Sequence, residues 1–150
     1  MLRQRVITAL LLVAVFLPAL FHPDPIYLAG LSLVMIALAA WEWSRLVGCA
    51  PASSVWVATV CLLGCALSGW WGLIEADRAG LWALMVLVWV IGSVWMLRWG
   101  LSRWTAIPTC ARTALGLMLL WATWMAMYAA KVRGTNFLLS VLLLVWVADI

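Results

Sequence analysis

The residue whose type and setting best suit chemistry is Asp149, near the end of the run FLLSVLLLVWVADI (residues 137–150). From Val141 to Ile150 every other residue is apolar. An acid at the centre of a membrane helix costs roughly 2.5–3.5 kcal/mol on insertion scales and less near an end, so such residues are functional hypotheses by default. The plain alternative is a helix-end carboxylate that reaches the headgroups, and spacing alone leaves both readings open. Glu42 is the second acid of interest, three residues before Arg45, a spacing that allows an ion pair on one helix face. Arg45, Arg98, Arg103 and Arg112 can attract an anion, or can simply set topology. Cys49, Cys61, Cys65 and Cys110 contain no C-x-x-C pair. Cys61 and Cys65, one helical turn apart, read as small packing residues. His22, between Phe21 and Pro23, reads as solvated or interfacial. No phosphate-binding glycine loop, H-E-x-x-H or Ser/His/Asp set is present.

The elements that must position these residues follow from composition. Of 150 residues, 69% are hydrophobic and 9% charged, against about 45–50% and about 25% in soluble domains. A chain this small cannot hide that much apolar surface in its own core, so the solvent for it is lipid. Backbone groups in lipid must pair within helices or closed barrels. The apolar runs are too long, and lack the period-2 alternation, for barrel strands. The fold class is therefore all-α, a polytopic transmembrane helical bundle of about six helices. Expected spans are residues 6–21, 26–43, 54–74, 81–97, 113–130 and 136–150, the last one short. Trp41 and Trp43 read as headgroup anchors. Gly64 with Ser68, and Ala122, Ala126 and Ala130, form small faces that favour close helix packing. Residues 48–53 and 98–112 read as loops, and Lys131 to Thr135 as a polar turn. A cytoplasmic N-terminus puts Arg3, Arg5, Arg45, Arg98, Arg103 and Arg112 inside and Arg78, Lys131 and Arg133 outside, the distribution that the positive-inside rule favours. Asp149 then falls at the cytoplasmic end of the last helix. The net charge of +4 is spread singly along the chain, which excludes a nucleic-acid patch.

Four segments in this order resemble the phosphatidate cytidylyltransferase family, the CDP-diacylglycerol synthases. They are MLRQRVITA at residues 1–9, AAWEW at 39–43 followed by Arg45 and Leu46, a fifth helix ending in Lys131, and LVWVAD at 144–149. The resemblance implies transfer of a cytidylyl group from CTP to phosphatidic acid at the inner bacterial membrane, with release of pyrophosphate. It implies Mg²⁺, with Asp149 as a metal or nucleotide-end acid. It also implies a Gly-, Lys- and Ser-rich loop and further helices beyond Ile150, so the 150-residue chain alone is expected to be inactive. The competing expectation is a non-catalytic membrane interaction protein, a homodimer joined through its small-residue faces. A small carrier is less favoured, since no mid-membrane charge pair or broken repeated helix is visible.

Overall fold

The computed structural model describes residues 2–72, 79–100, 104 and 106–148. Asp149, Arg78 and Arg103 lie outside the described residues. The described chain forms six α-helices and no strand: α1 (Leu2–Phe21), α2 (Ile26–Leu46), α3 (Pro51–Trp70), α4 (Ala79–Trp99), α5 (Thr109–Arg133) and α6 (Thr135–Ala148). Four of them, α2 to α5, are long and apolar enough to cross a membrane. Several helices overrun the apolar runs, whereas α3 stops at Trp70, short of the expected residue 74, because the chain turns at Gly72 with φ 65°. Pro51, expected in a loop, is the first residue of α3, where a missing N–H costs nothing and φ is already helical. Arg98, Arg112, Lys131 and Arg133 are all helical. At the start of α2 the Ile26 N–H donates to Asp24 Oδ1 at 2.9 Å, so that acid is a local turn partner. Gly134, at φ 136°, turns the chain between α5 and α6, a conformation that side chains disfavour.

The core lies among α2, α3 and α5. Ala29, Ile36 and Ala40 of α2 meet Cys61 and Cys65 of α3 and Trp124 and Met125 of α5. Small residues along α2 let the neighbouring backbones come close. Polar groups enclosed here need partners, because lipid offers none. The buried hydroxyls of Ser32, Ser44 and Ser68 donate to carbonyls of their own helices, and that of Ser54 to Ala50 O, which caps the start of α3. Indole donors link one helix to another. Trp124 Nε1 donates to Ala29 O of α2 at 3.0 Å, and Trp121 Nε1 to Ser68 Oγ of α3 at 2.8 Å. The Gly64–Ser68 pair is thus split, since Ser68 receives α5 while a Cβ on Gly64 would meet open space.

A second cluster joins Leu20, Leu28, Ala130 and Leu138, and so fastens α1 and α6 to α2 and α5. By contrast α4 meets the main cluster only near its start, through Leu81 and Trp82 among the described residues. Within its most apolar stretch 6% of residues are buried, against 28% for α2 and α5, although its mean hydropathy of 2.1 is the highest of the four. The small face on α5 divides accordingly. Ala130 is buried in the second cluster, whereas Ala122 and Ala126 line an open cleft against α4.

Candidate functional site

Two contacts fix the relative direction of α2 and α5. Trp43, near the end of α2, reaches Arg112 at the start of α5, and Ala29, near the start of α2, reaches Trp124 further along α5. The pair is antiparallel. One end of the bundle therefore collects the end of α2 and the start of α5. The chain between α2 and α3 joins them there, because Cys49 Sγ lies 3.5 Å from Thr113 Oγ1. Thr113 Oγ1 gives its proton to Thr109 O at 2.8 Å, which leaves it an acceptor for the thiol. After the turn at Gly134, α6 runs back toward the same end, and Ala148 is its last residue.

At this end the residues singled out from sequence take different roles. Trp41 and Trp43 part company. The Arg45 guanidinium lies over Trp41, 5.0 Å from the ring centroid. That cation–π contact stands in place of the anticipated pair with Glu42, which is exposed. Trp43 turns inward instead. Its Nε1 donates to Arg112 O at 3.0 Å, and its ring meets Trp104 edge-on, centroids 6.1 Å apart. A Cβ on Gly116 would overlap the Trp43 indole. Glycine inside a helix costs about 1 kcal/mol against alanine, and here it opens the seat for that ring. Trp43 is thus a joint between α2 and α5, a role that spacing did not indicate; the mid-helix glycine in Ala114-Leu115-Gly116-Leu117 was the available signal.

Arg112 presents an unsettled guanidinium. One terminal nitrogen donates to Thr109 Oγ1 at 3.3 Å, on the exposed side. Its Nε is enclosed and has no hydrogen-bond partner. A buried donor without an acceptor is uncommon in folded proteins and calls for a reason. Arg45 and Arg98, near the ends of α2 and α4, are exposed. The described residues include no group of three or more His, Cys, Asp or Glu side chains able to hold a metal. They do not by themselves fit Mg²⁺, which is bound through carboxylates, phosphate oxygens and water.

At the opposite end of α5, Lys131 corrects the reading of residues 131–135 as a polar turn. The helix continues through it to Arg133, and Lys131 is only 6% exposed. Its Nζ donates to Leu20 O at 2.6 Å and Thr135 Oγ1 at 2.7 Å. Leu20 is the penultimate residue of α1, where carbonyls have no partner within the helix and a cation is favoured by the helix dipole.

The profile of the cytidylyltransferase family matches residues 3–150. The chain belongs to that family. It is also similar to a phosphatidate cytidylyltransferase of Pseudomonas aeruginosa, 32% identical over 162 residues that take in all of this chain and 55% of the relative. This family member thus spans about half the length of the curated relative it matches. No solved structure matches it. The basic end described above is where the end of α2, with Arg45, and the start of α5, with Arg112, come together in this cytidylyltransferase-family chain.

Proposed function

We propose that this chain is the membrane-embedded portion of a phosphatidate cytidylyltransferase of the bacterial inner membrane, working in phospholipid synthesis. A phosphate oxygen of phosphatidic acid attacks the α-phosphorus of CTP, the α–β bridge breaks, and pyrophosphate leaves as CDP-diacylglycerol forms. Both substrates are anions that meet at the membrane surface. The protein's share of such a transfer is positioning and charge stabilisation. The family match along residues 3–150 carries this reading. Arg112, whose terminal nitrogen reaches the exposed side of α5, supports it as a donor for a phosphate oxygen, with Arg45 and Arg98 adding attraction for anionic headgroups of about 1 kcal/mol per cation near the surface. The basic end faces the cytoplasm, where CTP is available. Asp149 is assigned the carboxylate role that the family resemblance implies, and Mg²⁺ would draw its remaining oxygen ligands from beyond the described residues.

The test is turnover in membranes. The 150-residue chain alone gives no CDP-diacylglycerol from labelled CTP. A chimera continued with the remaining part of the Pseudomonas aeruginosa relative does, and Asp149→Asn in the chimera lowers the rate by at least roughly tenfold, the scale on which removing a group that stabilises transition-state charge is felt. A chimera that inserts and folds yet produces nothing would overturn the proposal. Undiminished turnover in Asp149→Asn would leave Asp149 an interfacial acid.

A further inference from the structure

On α2 and α3, aromatic rings outside the core fall at two heights. The indoles of Trp121 and Trp124, one turn apart on α5, reach Ser68 of α3 and Ala29 of α2, which puts Ser68 and Ala29 within about a turn of each other in height. The two helices run in opposite directions, joined by residues 47–50. Two residues from that height toward one end stand Tyr27 and Trp70; twelve residues toward the other stand Trp41 and Trp56. Tyr27, Trp56 and Trp70 are exposed, as is Trp71 beside them. Amphipathic rings of this kind gather where hydrocarbon gives way to headgroups. A polar group marks each height independently. The Arg45 guanidinium lies over the Trp41 ring, and the His22 ring stands 3.9 Å from that of Tyr27.

The interval between the two heights is fourteen residues in both helices, about 21 Å at 1.5 Å per residue. Tilting a helix only shortens its projection on the bilayer normal. Within the interval neither helix carries a charge, and Val34, Leu38, Val60 and Leu63 are exposed there. An ordinary hydrocarbon core is about 30 Å thick. Covering it takes about six more residues, three beyond each ring of α2. Those residues include Glu42 at one end and Asp24 at the other, both exposed, and a carboxylate inside hydrocarbon is costly. The thin dimension is thus enforced by the acids as well as marked by the rings. The tryptophans of α4 are spread from Trp82 to Trp99 and mark no height, so the dimension belongs to the α2–α3 face.

We propose that the α2–α3 face is a binding surface for a thinned bilayer: it holds the adjoining hydrocarbon at about 21 Å and so selects phospholipids with short acyl chains. The proposal rests on the membrane reading of the chain and not on the reaction, so turnover has no part in its test.

The experiment places the full 150-residue chain in phosphatidylcholine vesicles, with its own tryptophans as reporters. Dimyristoleoyl-, dipalmitoleoyl-, dioleoyl- and dierucoylphosphatidylcholine, each brominated at its double bonds, compete in turn with plain dioleoylphosphatidylcholine. Fluorescence quenching then gives the relative binding of each at the protein surface. The dimyristoleoyl lipid, the shortest, is expected to bind best, roughly twofold over the dioleoyl lipid, since mismatch is felt per ångström. The dierucoyl lipid, the longest, should bind worst. Ser53→Trp combined with Trp56→Leu keeps the number of tryptophans and moves the α3 ring outward by three residues, about 4.5 Å. The preference should then move to the dipalmitoleoyl lipid. Should that variant not insert, Glu42→Leu, which lengthens the apolar stretch of α2, is expected to move it the same way. Best binding of any lipid longer than the dimyristoleoyl one by the parent chain, or equal binding of all, would overturn the proposal. So would a preference that neither variant moves, which would put the short dimension elsewhere in the bundle. Release of the parent chain from the vesicles by alkaline carbonate would instead overturn the membrane reading, and the proposal with it.

Discussion

Lys131 and Arg112 stand near opposite ends of α5, about 28 Å apart along it at 1.5 Å per residue, and the bundle around them is built differently. At Lys131 three chain segments converge on the ammonium. Leu20 O closes the end of α1, Thr135 Oγ1 opens α6, and Leu138 and Ala130 complete the surrounding apolar cluster. At Arg112 it is the backbone carbonyl that does the joining, by accepting the Trp43 indole, while the guanidinium keeps an enclosed Nε without an acceptor. One cation is consumed by the fold and the other is left with capacity. A positive charge at a helix end is therefore not one kind of feature. What distinguishes a structural cation from one available to a ligand is whether the orphan carbonyls of a neighbouring helix reach it first.

The most severe way to break this contrast is at Lys131. Lys131→Met keeps the aliphatic stem and removes the donor, which strands Leu20 O and the Thr135 hydroxyl inside lipid. Hydrogen bonds to charged groups are worth about 1.5–3 kcal/mol, and the stranded carbonyl puts the expected loss toward the upper part of that range. Reversible unfolding in mixed detergent micelles reads it, and a loss below about 0.5 kcal/mol, the scatter of ordinary surface changes, would show that Lys131 holds nothing together. Next in size is Gly116→Ala. The added methyl invades the Trp43 indole, and overpacking of this sort costs about 1–3 kcal/mol, offset by about 1 kcal/mol of regained helix propensity. In a Trp43→Ala background the clash is gone, so the same change should turn neutral or stabilising. Additive losses in that double-mutant cycle would mean that ring and glycine do not share space.

How far the sequence foretells all this depends on whether a feature is local. The helices were legible because apolar runs are long and are punctuated by Pro23, Pro25, Pro51 and Pro108. Their ends were less so, since a helix can continue through Arg98 or Lys131 after the apolar run has stopped. Trp41 and Trp43 look equivalent in sequence. They diverge only because α5 covers one side of α2, a fact that resides in residues far along the chain. Lys131 was misread for the same reason: nothing near it announces that the end of α1, at Leu20, arrives beside it. Arg112 was recognised as a cation, but its unpartnered Nε is a property of packing. The leading acid, Asp149, rests on the family resemblance and its place in the chain, as it lies outside the described residues.

The smallest expected effect sharpens the comparison most. Arg112→Met leaves the backbone carbonyl in place for Trp43 and deletes a guanidinium whose side-chain partner among the described residues, Thr109 Oγ1, is exposed and distant at 3.3 Å. Removing a buried donor that has no acceptor can be nearly neutral, because no partner is stranded. The folding free energy should therefore stay within about 0.5 kcal/mol, as for surface changes away from special features, against several times that for Lys131→Met in the same micelles. In the active chimera the same substitution should raise the KM for phosphatidate presented in mixed micelles, and added salt should blunt the difference by screening the Arg112 charge in the parent. A stability loss matching that of Lys131→Met would make Arg112 a second structural cation and erase the distinction between the two ends. An unchanged KM with unchanged stability would keep the contrast in packing but withdraw Arg112 from the site, leaving Arg45 and Arg98 as the cations to test there.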